Sequence, residues 1–161
     1  MMIIVSLLAI VMTALTPAAV IVLGLTDFIT GYRRGRRVRI WLVLTCVLLN
    51  EAVGAAMGVL ISMRFLGRAG SEKWLSANYR LERWWCRIHL GAIERFANIG
   101  MEFDNPEVLS PGNAIIVARH ASHVDALGPL HACAVAGIRA RYTLKQELQW
   151  LPAMDLIGNR T

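Results

Sequence analysis

Two long apolar stretches, Met1 to Leu25 and Ile40 to Met63, constrain this chain more than any other feature. Each is long enough to cross the hydrocarbon of a bilayer, for which about 20 residues suffice. The first is interrupted only by Ser6, Thr13, Thr16 and Pro17, and Pro17 is expected to kink the helix near its middle. A secretory signal peptide would carry a basic start, whereas the first basic residue is Arg33. Composition points the same way: 56% of the 161 residues are hydrophobic and 17% charged, a membrane-protein balance.

Between the two stretches lies Gly31-Tyr32-Arg33-Arg34-Gly35-Arg36-Arg37-Val38-Arg39, with five arginines. A basic run beside an apolar helix reads as cytoplasmic and in contact with anionic head groups. The net charge of +6 would also suit nucleic acid, but apolar flanks on both sides favour a bilayer and no nucleic-acid partner.

Asn50-Glu51 sits at the centre of the second stretch. A carboxylate at mid-bilayer costs about 3 kcal/mol, so Glu51 must be protonated, paired, or away from the midplane. Gly54-Ala55-Ala56-Met57-Gly58 has the small-xxx-small spacing that lets another helix approach closely, and the first helix is the expected neighbour. The segment beyond Met63 is basic too, with Arg64, Arg68, Lys73, Arg80, Arg83 and Arg87. Two full spans would put the two basic segments on opposite faces, against the positive-inside rule. A monotopic hairpin dipping into one leaflet keeps both in the cytoplasm and brings Glu51 nearer to water. Residues 1–68 are therefore read as a membrane-embedded hairpin, preferred over two full spans.

Residues 71–100 read as an amphipathic helix. Leu81, Trp85, Ile88, Ala92, Phe96 and Ile99 follow one stripe, and Arg80, Arg83, Arg87 and Glu94 another. Trp74, Trp84 and Trp85 among arginines suit the head-group layer, while packing of the stripe on the following domain is an equal alternative. Gly100 is expected to end the helix. Cys46, Cys86 and Cys133 are odd in number and scattered, as for reduced thiols facing the cytoplasm.

Residues 101–161 alternate extended and helical patterns. Met101-Glu102-Phe103 reads as an edge strand, Ala114 to Ala118 as a buried strand, about His123 to Ala136 as a helix, and Arg141 to Leu144 as a strand. A last helix takes in Trp150 to Ile157. The pattern predicts the first half of an α/β layer, too small to bury both faces of a sheet. Its polar corner is Arg119-His120-Ala121-Ser122-His123-Val124-Asp125. With His120 on the loop and Asp125 in the first helical turn, the carboxylate can orient the imidazole, which is then free to take a proton from a hydroxyl. Ser122-x-x-Asp125 is also a capping box, which is compatible with that role.

This corner resembles the first sequence block of the glycerolipid acyltransferases, the lysophosphatidic acid acyltransferase family, whose signature is His, four residues, Asp. Lys145-Gln146-Glu147-Leu148 followed by Pro152 is similar to a second segment of that family. The resemblance covers about Pro111 to Gly158. It implies an α/β acyltransferase domain, of which this chain holds the N-terminal half, behind a two-helix membrane hairpin and an amphipathic helix. It also implies transfer of a fatty acyl group from acyl-CoA or acyl carrier protein to the free hydroxyl of a lysophospholipid such as 1-acylglycerol 3-phosphate, giving phosphatidic acid at the cytoplasmic face of the inner membrane. His120 is the implied base and Asp125 its partner, with Ser122, Arg119 and Lys145 on the substrate and with no metal or cofactor. Arg119 stands where the family usually has Asn, and the later family blocks have no counterpart. An N-terminal fragment or a truncated, inactive, membrane-anchored homologue is therefore the alternative expectation. His120, His123, Asp125 and His131 leave a metal-dependent hydrolase as a further one.

Overall fold

The computed structural model describes residues 2–31, 35–102, 109, 115–117, 123–142, 151–158 and 160, with the backbone alone at 123, 124 and 126. Helix α1 spans Met2–Ile29 and helix α2 spans Arg36–Arg64, and they lie side by side as a hairpin. Both are long and apolar enough to cross a membrane. α1 continues through Pro17 without a break. Its surface is apolar and exposed at Ile3, Leu7, Val11, Ile21 and Leu25, among others. Such a surface is stable beside lipid and costly beside water.

The hairpin is closed by a polar clasp. Gly35, the residue before α2, has φ 62° and no side chain with which to cap the helix. Asp27, buried near the end of α1, supplies the missing acceptor: its Oδ2 takes the Arg37 backbone N–H at 2.9 Å and its Oδ1 the Arg37 guanidinium at 3.2 Å. A carboxylate at a helix start also faces the positive end of the helix dipole. Further along, the Trp41 indole donates to Thr16 Oγ1 at 3.1 Å.

Helix α3, Glu72–Ala92, starts where Ser71 accepts the Trp74 backbone N–H, with Glu72 in the first turn. A π-helical turn, Ile93–Ala97, follows, and Asn98, at φ 58°, ends the helical run two residues before the expected Gly100. Asn is among the residues that tolerate this left-handed conformation. The expected stripe is buried at Leu81, Trp85 and Ala92 but not along its whole length. Ile88 and Ile99 are exposed, while Asn78, Glu82 and His89 are buried beside Leu81, Trp85 and Cys86.

Helices α4, His123–Val135, and α5, Pro152–Gly158, complete the described elements. α4 ends in a Schellman motif: the Ile138 N–H donates to the Cys133 carbonyl at 2.8 Å, the Gly137 N–H to Ala134, and Gly137 adopts φ 73°. The core joins α2, α3, α4 and α5 through Ala55, Leu81, Trp85, Cys86, Leu127, Leu130, Ala153, Met154 and Ile157. The small residues of α2 permit this approach. A Cβ on Gly54 would lie 2.9 Å from Trp85 Cδ1 and 3.0 Å from Ala153 Cβ, and one on Gly58 would lie 3.5 Å from Leu156 Cβ. The small-xxx-small face thus receives α3 and α5, not α1.

The expected α/β layer is not found: among the described residues there is no strand. Ile115 and Val117, from the expected buried strand, are 93% and 91% exposed. Met101, Glu102, Arg141 and Tyr142 lie in neither helix nor strand. An apolar run becomes a strand only when a neighbouring edge takes up its N–H and C=O groups, and no such edge is present among these residues. The helices that would have covered a sheet pack on α2 and α3 instead. Phe103, Ala114, Ala118 and Leu144 lie outside the described residues.

Gly54 and Gly58 separate the two approaches by experiment. Gly54→Ala should destabilise the fold by about 1–3 kcal/mol, because Trp85 and Ala153 must both move. Gly58→Ala should be close to neutral, and thermal unfolding of the detergent-solubilised chain measures the difference.

Candidate functional site

Asn50 and Glu51 interrupt the apolar face of α2, and the fold turns them into its most connected polar centre. Both are buried, Glu51 to 1% exposure. The Trp85 indole N–H donates to Glu51 Oε1 at 3.0 Å, and the Ala153 backbone N–H donates to Oε2 at 3.1 Å. The Met154 amide is a further donor to the same carboxyl group. Pro152, the first residue of α5, has no N–H of its own, so Glu51 takes the first amides that the helix leaves free. One side chain of α2 therefore caps α5 and holds the indole of α3. A carboxyl group at this depth requires such a set of donors to offset its loss of water.

His89 completes the centre. The side-chain amide of Asn50 donates to the Trp85 carbonyl at 2.8 Å and also meets His89 Nδ1. His89 Nδ1 also lies 3.2 Å from the Trp85 carbonyl, and Nε2 faces Glu51 Oε1 at 3.7 Å. The rings of Trp85 and His89 lie 4.3 Å apart at 50°. Burial lowers the His89 pKa from its ordinary 6.5, outweighing the upward pull of the Trp85 carbonyl. The ring is then neutral at pH 7, and its approach to Glu51 is a polar contact between a neutral group and a carboxyl rather than an ion pair. With the ring turned inward onto Glu51, the cluster positions helices and does not present an acid or base to solvent.

Arg160 fixes the other end of α5, donating to the Gly58 carbonyl at 2.9 Å and to Ser62 Oγ. The buried thiols nearby are unreactive. Burial, followed by the charge of Glu82, pushes Cys86 up to about 12, and the same two causes raise Cys133. Cys46, Cys86 and Cys133 are all free.

Of the residues expected from the sequence to form the acyl-transfer corner, Asp125 is described, in the first turn of α4 and half-buried. His120, Arg119, Ser122 and Lys145 lie outside the described residues, as does the side chain of His123. His131 is half-buried on α4. Among the described residues, no group of three or more His, Cys, Asp or Glu could hold a metal ion. Trp85 and His89, as partners of Glu51, were not legible as such. The available signal was the spacing of Asn78, Glu82, Trp85 and His89, successive turns of one face of α3 that carries polar groups inward. Comparison with protein-family models, with curated proteins and with solved structures finds no match.

Two outcomes test this centre. Glu51→Ala strands the Trp85 indole and the first amides of α5, so it should cost about 2–4 kcal/mol and speed hydrogen exchange at 153–155, whereas Glu51→Gln, which keeps one acceptor, should cost less. Because folding depresses the His89 pKa, the unfolded chain binds this proton more readily. The contribution of the neutral ring is therefore complete above pH 6.5 and declines as pH falls below it. The stability difference between the parent and His89→Gln should shrink as pH falls from 7.5 to 5.5, as read by their melting temperatures.

Proposed function

We propose that the chain belongs to a membrane-bound acyltransferase that moves a fatty acyl group from acyl-CoA or acyl carrier protein to the free hydroxyl of a lysophospholipid, with 1-acylglycerol 3-phosphate as the acceptor. The observation that carries the reading is the His120-x4-Asp125 spacing across the start of α4, with Asp125 in the first helical turn. There a carboxylate is held by a helix, where it can orient an imidazole. His120 takes the hydroxyl proton as the oxygen attacks the thioester carbonyl, the C–S bond breaks, and the proton returns to the leaving thiolate. Asp125 stabilises the imidazolium in between, and no protein nucleophile is needed. Arg119, Ser122 and Lys145 face the substrate in this reading.

The apolar hairpin supports the choice of an amphiphilic acceptor. Exposed apolar side chains run the length of α2 at Ile40, Leu44, Val53, Met57, Leu60 and Met63, so lipid can reach both of its ends. A monotopic hairpin, with both basic segments and the reacting corner on the cytoplasmic face of the inner membrane, accommodates the charge distribution. A membrane-anchored homologue without turnover is the second reading. It is favoured by one observation, that the described residues form a helical core with no strand.

In the full chain reconstituted in lipid, release of free thiol from acyl-CoA should depend on added lysophosphatidic acid. It should fall by about 100-fold or more in His120→Ala and Asp125→Asn. Undiminished release in His120→Ala ends the proposed mechanism, and no release from the parent, with the fold intact, selects the second reading.

A further inference from the structure

A cleft of about 870 Å³ opens where the C-terminal end of α2 meets the first half of α3. Its rim carries Arg64, Lys73, Arg80 and Arg83, and a fifth cation, Arg139, reaches in from beyond α4. The lining holds a single carboxylate, Glu72, and Arg139 already pairs with it. Arg139 is held further by Ser76 Oγ at 2.9 Å and by the Tyr79 ring, 5.4 Å away. No ion pair is described for Arg64, Lys73, Arg80 or Arg83 among the described residues, so their positive charge is not cancelled within the cleft.

The floor has a different chemistry. Met57, Ile61, Phe65 and Leu81 make it apolar, and Trp84 stands at its edge, 39% exposed. Met57 also belongs to the exposed apolar stripe of α2, together with Leu60 and Met63. The cleft is therefore continuous with a surface that lipid chains can cover. A cationic rim over an apolar floor, at the end of a helix long enough to cross a membrane, matches a molecule with an anionic head and hydrocarbon tails.

We propose that this cleft binds one anionic phospholipid of the bilayer, its phosphate among Arg64, Lys73, Arg80 and Arg83 and its acyl chains running along Met57 and Leu60 of α2. The site is separate from the acyl-transfer corner. Arg139 follows α4, whereas Asp125 lies in its first turn, and the helix from Asp125 to Val135 rises about 15 Å. Occupancy fastens the start of α3 to the membrane surface and does not depend on turnover.

The test uses the purified full chain in neutral detergent, titrated with phosphatidylglycerol or phosphatidylcholine, with retained lipid counted by native mass spectrometry. One phosphatidylglycerol per chain should be retained, in preference to phosphatidylcholine. The double variant Arg80→Gln/Arg83→Gln should weaken retention by about tenfold or more. Arg87→Gln/Arg95→Gln, which removes the same charge from exposed positions outside the cleft, should not. Arg64→Gln/Lys73→Gln provides a second disruption should the first alter folding, as judged by circular dichroism. Equal retention of both lipids, equal losses in the cleft and control variants, or displacement of the lipid by an equal concentration of inorganic phosphate would each overturn the proposal.

Discussion

The carboxyl group of Glu51 is the point on which the packing of this protein turns. In a helix otherwise fit for lipid, a buried carboxyl with no donors would cost several kcal/mol. Three N–H groups from two other helices converge on it, two amides from α5 and the indole of Trp85 from α3. Satisfying the group therefore requires α3 and α5 to dock at one place on α2. The glycine at position 54 leaves the space for that docking, since any side chain there would meet both Trp85 and Ala153. Polar specificity and close packing select the same arrangement, and each depends on the other.

The two faces of α2 consequently have different tasks. One lies along α1 and closes the apolar hairpin through Asp27, Arg37, Thr16 and Trp41. Another is covered by α3 and α5, through Glu51 near the middle and Arg160 near the end. What remains is an exposed apolar stripe from Ile40 to Met63. A helix built this way couples an exposed apolar surface, fit for lipid, to a helical body with its own core. The start of α4 is tied to the same body by the packing of Leu127 and Leu130 against α3.

The α/β layer expected over 101–161 is absent among the described residues for a reason visible in the sequence itself. Ala114 to Ala118 is apolar and β-branched enough to read as a strand, but strand formation is a property of pairs of segments. Without a neighbouring edge among the described residues, Ile115 and Val117 remain exposed. The amphipathic stripe expected of 71–100 is buried at Leu81, Trp85 and Ala92 and exposed at Ile88 and Ile99. Apolar periodicity does not mark His89, which is buried because α2 offers the Glu51 carboxyl opposite it.

What the sequence determined by itself is what depends on a few neighbouring residues. The two apolar helices, the start of α3 at Ser71, the end of α4 at Gly137 and the placement of Asp125 in a first helical turn all follow from periodicity, caps and local hydrogen bonds. The tertiary structure alone decided the partner of Glu51, the helices received by Gly54 and Gly58, and the fate of the Ile115–Val117 run. Ala153 and Glu51 are 102 residues apart, and no local pattern specifies a bond across that distance. It forms because a buried carboxyl and the free amides of a helix start each lack a partner until the other arrives.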